Sequence, residues 1–312
     1  MTMNLRGFIS GILACLLLVS CSERDKEQQL TVLAWNVWHA GHSNAYGQKA
    51  CDAIIGIMKQ SHADVILMVE TYGCAPIVAD SLGYDYSLIS DNLCIFSRYP
   101  ITREYKFPDQ ISTFNFGGVE IDMDGTPVRL FDTWLHYLPD ARLVPVEKSE
   151  KEILEWDDAG TRDDEIRSIL AALKPILEES DTIPVIMGGD FNSHSHLDWT
   201  CDTKDMYNHG GAVVGWTVSK EMLAANFKDS FREIHPDPVK NIGTTWLTDV
   251  DPLETPSRFD RIDYIYYQGK TIKAKESQCY DNVLGQSFHF EGEDFFYASD
   301  HGFVLTTFTI TK

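Results

Sequence analysis

Two spacings of apolar residues run through the chain, one with the period of a strand and one with that of a helix. Residues 30–36 (LTVLAWN) read as a strand, and Cys51, Ile54, Ile55 and Met58 then fall at i, i+3, i+4 and i+7, the stripe of an amphipathic helix. Residues 64–70 are almost continuously apolar, as expected of a strand whose sheet is covered on both faces. Further on, Val119, Ile121 and Met123 alternate with Glu120, Asp122 and Asp124, and Asp124-Gly125 supplies a tight turn into residues 128–134, which makes an antiparallel hairpin. Ile166, Ile169, Leu170, Leu173 and Leu177 mark a second helix, with Asp163, Asp164 and Glu165 at its positive end. Strands are predicted at 183–187, with Pro184 at the start, and at 262–267, 271–276 and 303–310. Interleaved strands and helices with no repeat and no internal linker predict one α/β domain, its helices packed on the outer faces of its sheets.

The amino terminus follows a different rule. Residues 1–20 carry one charge, Arg6, ahead of the apolar run 9–19, which has the length of a secretory h-region and is too short to span a bilayer. Residues 18–21 (LVSC) resemble a bacterial lipobox, in which Cys21 becomes the lipidated first residue; an ordinary cleaved signal is the plainer alternative. The expected organisation is a lipoprotein signal peptide at 1–20, a polar tether at 21–29 and one domain at 30–312. Such a protein works outside the cytoplasm, in the periplasm or at the cell surface, and touches a membrane through its lipid anchor alone. With Cys15 removed and Cys21 lipidated, Cys51, Cys74, Cys94, Cys201 and Cys279 remain. Their odd number and lack of metal-like spacing allow two disulfides at most and require none, so burial as small apolar side chains is expected.

Composition narrows the function. A 312-residue chain with 44% apolar residues can bury a large core. Its 26 Lys plus Arg against 47 Asp plus Glu give a net charge of −21, which disfavours a generic binder of long nucleic acid. An enzyme that grips a phosphodiester through an acid-bound divalent cation remains compatible with that charge.

Polar residues break the apolar pattern at strand ends, in five stretches: 35–39 (WNVWH), 69–71 (VET), 188–193 (GGDFNS), 261–265 (RIDYI) and 299–301 (SDH). Carboxylates converging there would repel one another unless a hard cation, Mg²⁺ or its substitute Mn²⁺, neutralised them. In this order the stretches resemble the endonuclease/exonuclease/phosphatase superfamily, which includes deoxyribonuclease I, across about Thr31 to Phe308. The resemblance implies a four-layer α/β/β/α sandwich and metal-dependent hydrolysis of a phosphoester. It further implies Glu70 as the direct metal ligand, with Asn36 and Asp300 holding the ion and its waters. Asp190 would orient or deprotonate the attacking water, and Asn192 would donate to a phosphoryl oxygen. His301 would stabilise transition-state charge, with Asp263 fixing its tautomer. His136, after the hairpin strand, would protonate the leaving oxygen or else make a structural hydrogen bond.

Other residues carry weaker signals. His39 and His42 follow Asn36 and are candidates for substrate contact, although loop histidines commonly serve only as surface hydrogen-bonding groups. His194, His196 and Asp198 look like a metal cluster by composition, but alternate loop residues seldom converge without a further ligand, so loop packing is expected. Arg98 is expected to be structural. Trp156, Trp199, Trp216 and Trp246 fall in irregular segments and suit either ring stacking on a ligand or buried anchoring. The acidic stretch 138–161 should border the site and repel a long polyanion, and 193–241 should shape the pocket. A phosphodiester of a small molecule, lipid headgroup or glycan is therefore the expected substrate. A secreted nuclease is the enzymatic alternative, and a surface-anchored binding module without turnover is the alternative of another class. Nothing in the sequence sets the oligomeric state.

Overall fold

The computed structural model describes residues 27–41, 47–246 and 260–312. The expected signal peptide, Cys21 and His42 lie outside the described residues. The chain opens with β1 (Glu27–Asn36), α1 (Gln48–Gln60), β2 (Val65–Val69), α2 (Ala75–Leu82), β3 (Asp85–Leu88) and β4 (Leu93–Ser97). It continues through β5 (Ile101–Tyr105), β6 (Phe116–Asp122), β7 (Pro127–Trp134), α3 (Glu150–Asp157), α4 (Arg162–Leu177) and β8 (Val185–Asp190). Then follow α5 (Thr217–Ala224), β9 (Lys228–Asp229), α6 (Ser230–Ile234), β10 (Asp263–Gln268), β11 (Ile272–Tyr280), β12 (Ser287–Phe290), β13 (Glu293–Phe296) and β14 (Phe303–Thr311).

Among the described residues two six-stranded sheets form, one in the order β11-β14-β1-β2-β4-β3 and the other β5-β6-β7-β8-β10-β9, beside a two-stranded pair of β12 and β13. The two-residue period of each strand decides what lies between them. Leu30, Val32 and Ala34 of β1 and Val65 and Leu67 of β2 meet Val128, Leu130, Ile186 and Ile265 of the other sheet in a buried inner core. The alternate residues Leu33, Trp35, Ile66 and Met68 face outward against Ile54, Ile57 and Met58 of α1 and Val78 of α2. Across the molecule Phe131, Met187, Tyr264 and Tyr266 face outward against Ile166, Ile169 and Leu173 of α4 and Met222 of α5. The result is the expected four-layer α/β/β/α sandwich.

Some boundaries differ from expectation. Glu27, Gln28 and Gln29 pair with Thr311, Ile310 and Thr309 of β14, so the last three residues assigned to the tether belong to the sheet. The long C-terminal strand offers backbone partners that extend β1 beyond its apolar run. Residues 138–161 contain α3, capped by a reciprocal Ser149–Glu152 box, and Trp156 lies on that helix rather than in irregular chain. Residues 193–241 hold α5 and α6. Trp199 and Trp216 are fully buried in a satellite core with Val144, Ile153 and Val214, so they anchor loops. No helix among the described residues is long and apolar enough to cross a membrane.

Candidate active site

The same alternation that builds the inner core places polar groups at its end. Continuing from Leu30, Val32 and Ala34, Asn36 is the last residue of β1 and points between the sheets; it pairs in register with Val69, directly before Glu70. On the facing sheet Asp190 ends β8 and lies in register with Trp134 of β7 on one side and Asp263, the first residue of β10, on the other. Gly189 has φ 127°, and a Cβ there would stand 2.1 Å from the Thr133 carbonyl oxygen, which explains the Gly-Gly before Asp190. His301 precedes β14. Its carbonyl accepts from Trp35 Nε1 at 3.2 Å and Tyr297 Oη at 2.9 Å, and its N–H is held at 2.9 Å by Ser299 Oγ. Ser299 Oγ in turn donates to the Asn36 carbonyl at 2.7 Å, which fastens the two chain segments together.

These side chains form one hydrogen-bonded cluster. Asn36 Nδ2 lies 3.1 Å from Glu70 Oε1, 3.1 Å from Asp190 Oδ2 and 3.5 Å from His301 Nε2. Asp263 Oδ2 stands 3.0 Å from His301 Nδ1, and Asp190 Oδ2 3.8 Å from His301 Nε2. Asp190 also accepts from the Asn192 backbone at 2.8 Å and from Asn192 Nδ2 at 3.0 Å. Burial pushes the Asp190 carboxyl up to about 7, with Asp263 adding to the rise, while His301, Asn192 and Asn36 oppose it. Burial works against a charged His301, yet the carboxylates of Asp263, Asp190 and Asp300 outweigh it and hold the imidazole well above its ordinary range. Asp300 is half-buried beside the cluster.

Left-handed backbone occurs here as well, as at several turns elsewhere. Trp38, His39 and Ala40 have φ of 48°, 55° and 50°, and Glu70 and Asn192 have 63° and 48°, conformations that side chains rarely adopt without a reason. The turn at 38–40 delivers the His39 N–H to Glu70 Oε2 at 2.9 Å and His39 Nε2 to the same oxygen at 3.3 Å. His39 thus faces the site through Glu70.

Two expectations change in detail. Asn192 directs its amide hydrogens at the Leu135 carbonyl, 2.9 Å away, and at Asp190, so in this arrangement it holds Asp190 rather than facing open space. His136 stands outside the cluster: its Nδ1 accepts from Leu138 N–H at 3.2 Å and its ring lies 5.0 Å from that of Tyr137. It follows Trp134, the residue in register with Asp190, by two positions, which puts it at the rim. His194 and Asp198 are loop anchors. His194 lies 3.5 Å from Asp260 between Trp199 and Trp216, and Asp198 pairs with Arg232 and Arg261. His196 bonds Ser219. Arg98 pairs with Asp64 and Tyr84 away from the site, as expected of a structural residue.

Sequence reasoning missed two supports. Arg162, buried at the start of α4, donates to the carbonyls of Asn192 and Pro139 and pairs with Asp157 at 3.1 Å, which ties the acidic stretch to the site. Thr245 Oγ1 accepts from the backbone of Ile262 and Asp263 at 3.1 and 3.0 Å, setting the start of β10. An arginine among acids at a helix start hinted at the first; nothing in the sequence signalled the second.

The profile of the Endonuclease/Exonuclease/phosphatase family matches residues 33–301, a span that contains every member of the cluster. The chain belongs to this family. A Caenorhabditis elegans protein described as uncharacterized is 28% identical over 300 residues, covering 90% of this chain and 91% of its own. Among solved structures, truncated Caenorhabditis elegans TDP2 is similar with a TM-score of 0.59 at 16% identity, covering 90% of this chain and 97% of that one. D. rerio TDP2 complexed with a single-strand DNA product gives 0.58 at 16%, covering 90% and 98%. The human Nocturnin catalytic domain with bound sulfate gives 0.56 at 16%, covering 92% and 97%. This member of the endonuclease/exonuclease/phosphatase family is a phosphoric ester hydrolase, and enzymes of the family generally use divalent metals. The acidic groups agree: Asp190, Asp263 and His301 bring side-chain oxygen and nitrogen atoms within 4.8 Å of one another, and Asn36 Nδ2 joins Asp190 to Glu70 through one hydrogen bond to each. Buried carboxylates in such excess over cations suit a hard, oxygen-seeking ion.

Proposed function

We propose that this protein is an extracytoplasmic, divalent-metal-dependent phosphoesterase that hydrolyses a phosphodiester of a small molecule, a lipid headgroup or a glycan. The observation that carries the chemistry is the His301 arrangement: an imidazole pinned by Asp263 on Nδ1, with Nε2 turned toward Asp190 and Asn36, and surrounding carboxylates that favour its charged form. An imidazolium has no lone pair to give a metal, so its place is against a phosphoryl oxygen, where it stabilises developing charge.

Glu70, Asn36 and Asp300 are the residues that would hold Mg²⁺ or Mn²⁺, which supplies charge neutralisation and polarises a phosphoryl oxygen. Glu70 is pre-oriented by Asn36 and His39. Asn36 Oδ1 accepts from the Trp38 N–H at 3.0 Å, which fixes the amide beside Glu70. Asp190, with a carboxyl near neutrality, accepts the proton of the attacking water. Asn192 fixes its orientation. His136, whose Nδ1 accepts from Leu138, carries its proton on Nε2 when neutral and offers it to the leaving oxygen from the rim.

The acidic surroundings support a small substrate: net charge is −21, and Arg162 ties the acidic stretch 138–161 to Asn192. The apolar run 9–19 before Ser20-Cys21 supports export and lipid anchoring. One observation favours the nuclease reading. Phe114, Trp134, His136 and Tyr137 form a ladder of rings 5.0–6.2 Å apart at the rim, a platform that would stack on a base or a sugar.

A panel of nucleic acids, nucleotides, sugar phosphates, inositol phosphates and phospholipid headgroups, assayed with Mg²⁺, Mn²⁺ and Ca²⁺, separates these readings. EDTA-sensitive turnover of small esters alone supports the proposal, and turnover of oligonucleotides replaces it with the nuclease. Asp190→Ala should lower kcat at least about a hundredfold; full activity in that variant would overturn the role given to Asp190.

A further inference from the structure

Cys51 lies in the first turn of α1, and Cys74 is the residue immediately before α2. Both are buried, at 2% and 1% exposure, and their sulfur atoms stand 2.9 Å apart, closer than unbonded sulfurs normally rest. Among the described residues Cys94, Cys201 and Cys279 have no such partner: the first is buried, the second exposed, the third half-buried. Both sulfurs sit at helix N-termini, and the hydrogen bond to Cys51 together with burial pushes the Cys74 thiol above its ordinary range. Hydrogen bonding from Cys74 holds the Cys51 thiol below its ordinary range, so Cys51 is the nucleophile of the two.

We infer that Cys51 and Cys74 form a disulfide when the protein matures in an oxidising compartment, and that this bond clamps the segment carrying Glu70. The reaction balances with a disulfide oxidant, either a small molecule such as oxidised glutathione or a thiol–disulfide oxidoreductase. The Cys51 thiolate attacks the oxidant's sulfur and releases one thiol. The Cys74 thiol then loses its proton and displaces the second, so two electrons pass to the oxidant and one S–S bond forms in the chain. Only Thr71, Tyr72 and Gly73 separate Glu70 from Cys74, and the Glu70 and Thr71 N–H groups are already fixed on the Asn92 carbonyl at 2.6 and 3.3 Å. With α1 on one side and Asn92 on the other, the bond would leave Glu70 little freedom. The linkage itself stands on the sulfur geometry; its effect on Glu70 rests on the metal-binding reading above.

The test is peptide mapping under non-reducing conditions on the full-length protein, expressed with its own leader and, separately, made reduced and incubated with oxidised glutathione. A cross-linked Cys51–Cys74 peptide is expected in both. Both cysteines recovered as free thiols in both preparations would overturn the proposal. The oxidised protein should melt roughly 5 °C above the reduced one, because the bond closes a loop of 23 residues. The activating Mn²⁺ concentration should rise severalfold in the reduced protein and in Cys51→Ser. An unchanged Mn²⁺ requirement alongside a mapped disulfide would remove the Glu70 clamp while leaving the linkage standing.

Discussion

Arg261 heads the Arg-Ile-Asp-Tyr stretch of the site, yet its side chain turns into the protein, 1% exposed, between two carboxylates. It donates to Asp198 through Nε at 3.2 Å and Nη2 at 3.0 Å, and to Asp229 through Nη1 at 2.8 Å. The rings of Tyr264 and Phe231 lie 4.6 and 5.2 Å from its guanidinium carbon. Replacement by Met keeps much of the apolar stem but leaves Asp198 with Arg232 alone and Asp229 with only the two backbone N–H groups it caps. Removing one partner of a buried ion network costs about 3–5 kcal/mol, well above the roughly 1–2 kcal/mol of the lost ring contacts. Arg261→Met should therefore lower unfolding stability by about 4 kcal/mol and Tm by roughly 8 °C.

Urea unfolding of both proteins at pH 7 measures this directly, with m expected to stay constant. A difference below about 1 kcal/mol would refute the assignment of Arg261 as the compensating charge of this network.

Asp263→Asn keeps an oxygen for the His301 Nδ1–H but removes the neighbouring charge; kcat should fall about a hundredfold with KM and Tm little changed, and steady-state kinetics with a thermal melt would show it. Glu70→Gln should raise the activating Mg²⁺ or Mn²⁺ concentration by at least about tenfold, as metal titration of activity would record; an unaltered requirement would move the ion elsewhere. Burial, helped by Lys220, holds the His196 imidazole below its ordinary range. Its folded pKa being the lower, its contribution is complete above about 6.5 and is lost as pH falls. His196→Gln should therefore gain stability relative to the parent below about pH 6.5, and a pH-independent difference between the two would contradict this.

How much of this was legible beforehand follows the range of each interaction. The apolar periods located the strands and the main helices because one-sided burial is written into nearest neighbours along the chain. They failed at the start of β1, where Glu27–Gln29 join the sheet through backbone bonds to β14 that no side chain advertises. The carboxylates, Asn36 and His301 were legible because polar groups closing apolar strands have few other uses. Thr245 and the Cys51–Cys74 contact were not, since each depends on which distant segments the topology brings together.

The register adds a reason why this fold would favour a bound divalent cation, as proposed above. Two aspartates paired directly across antiparallel strands, Asp190 and Asp263, are among the least favourable cross-strand neighbours a sheet can carry. His301 binds Asp263 at 3.0 Å and stands farther from Asp190, at 3.8 Å, so the hydrogen bonds of Asp190 come from neutral amides and burial holds its carboxyl near 7. Glu70 and Asp300 deepen the imbalance from the other sheet. Left alone, such a cluster subtracts from the stability of the sandwich, and a bound divalent cation returns it. On the metal-dependent reading proposed above, occupancy should therefore raise Tm as well as switch on activity, and a melt unchanged by Mg²⁺ or Mn²⁺ would place the ion away from this strand end.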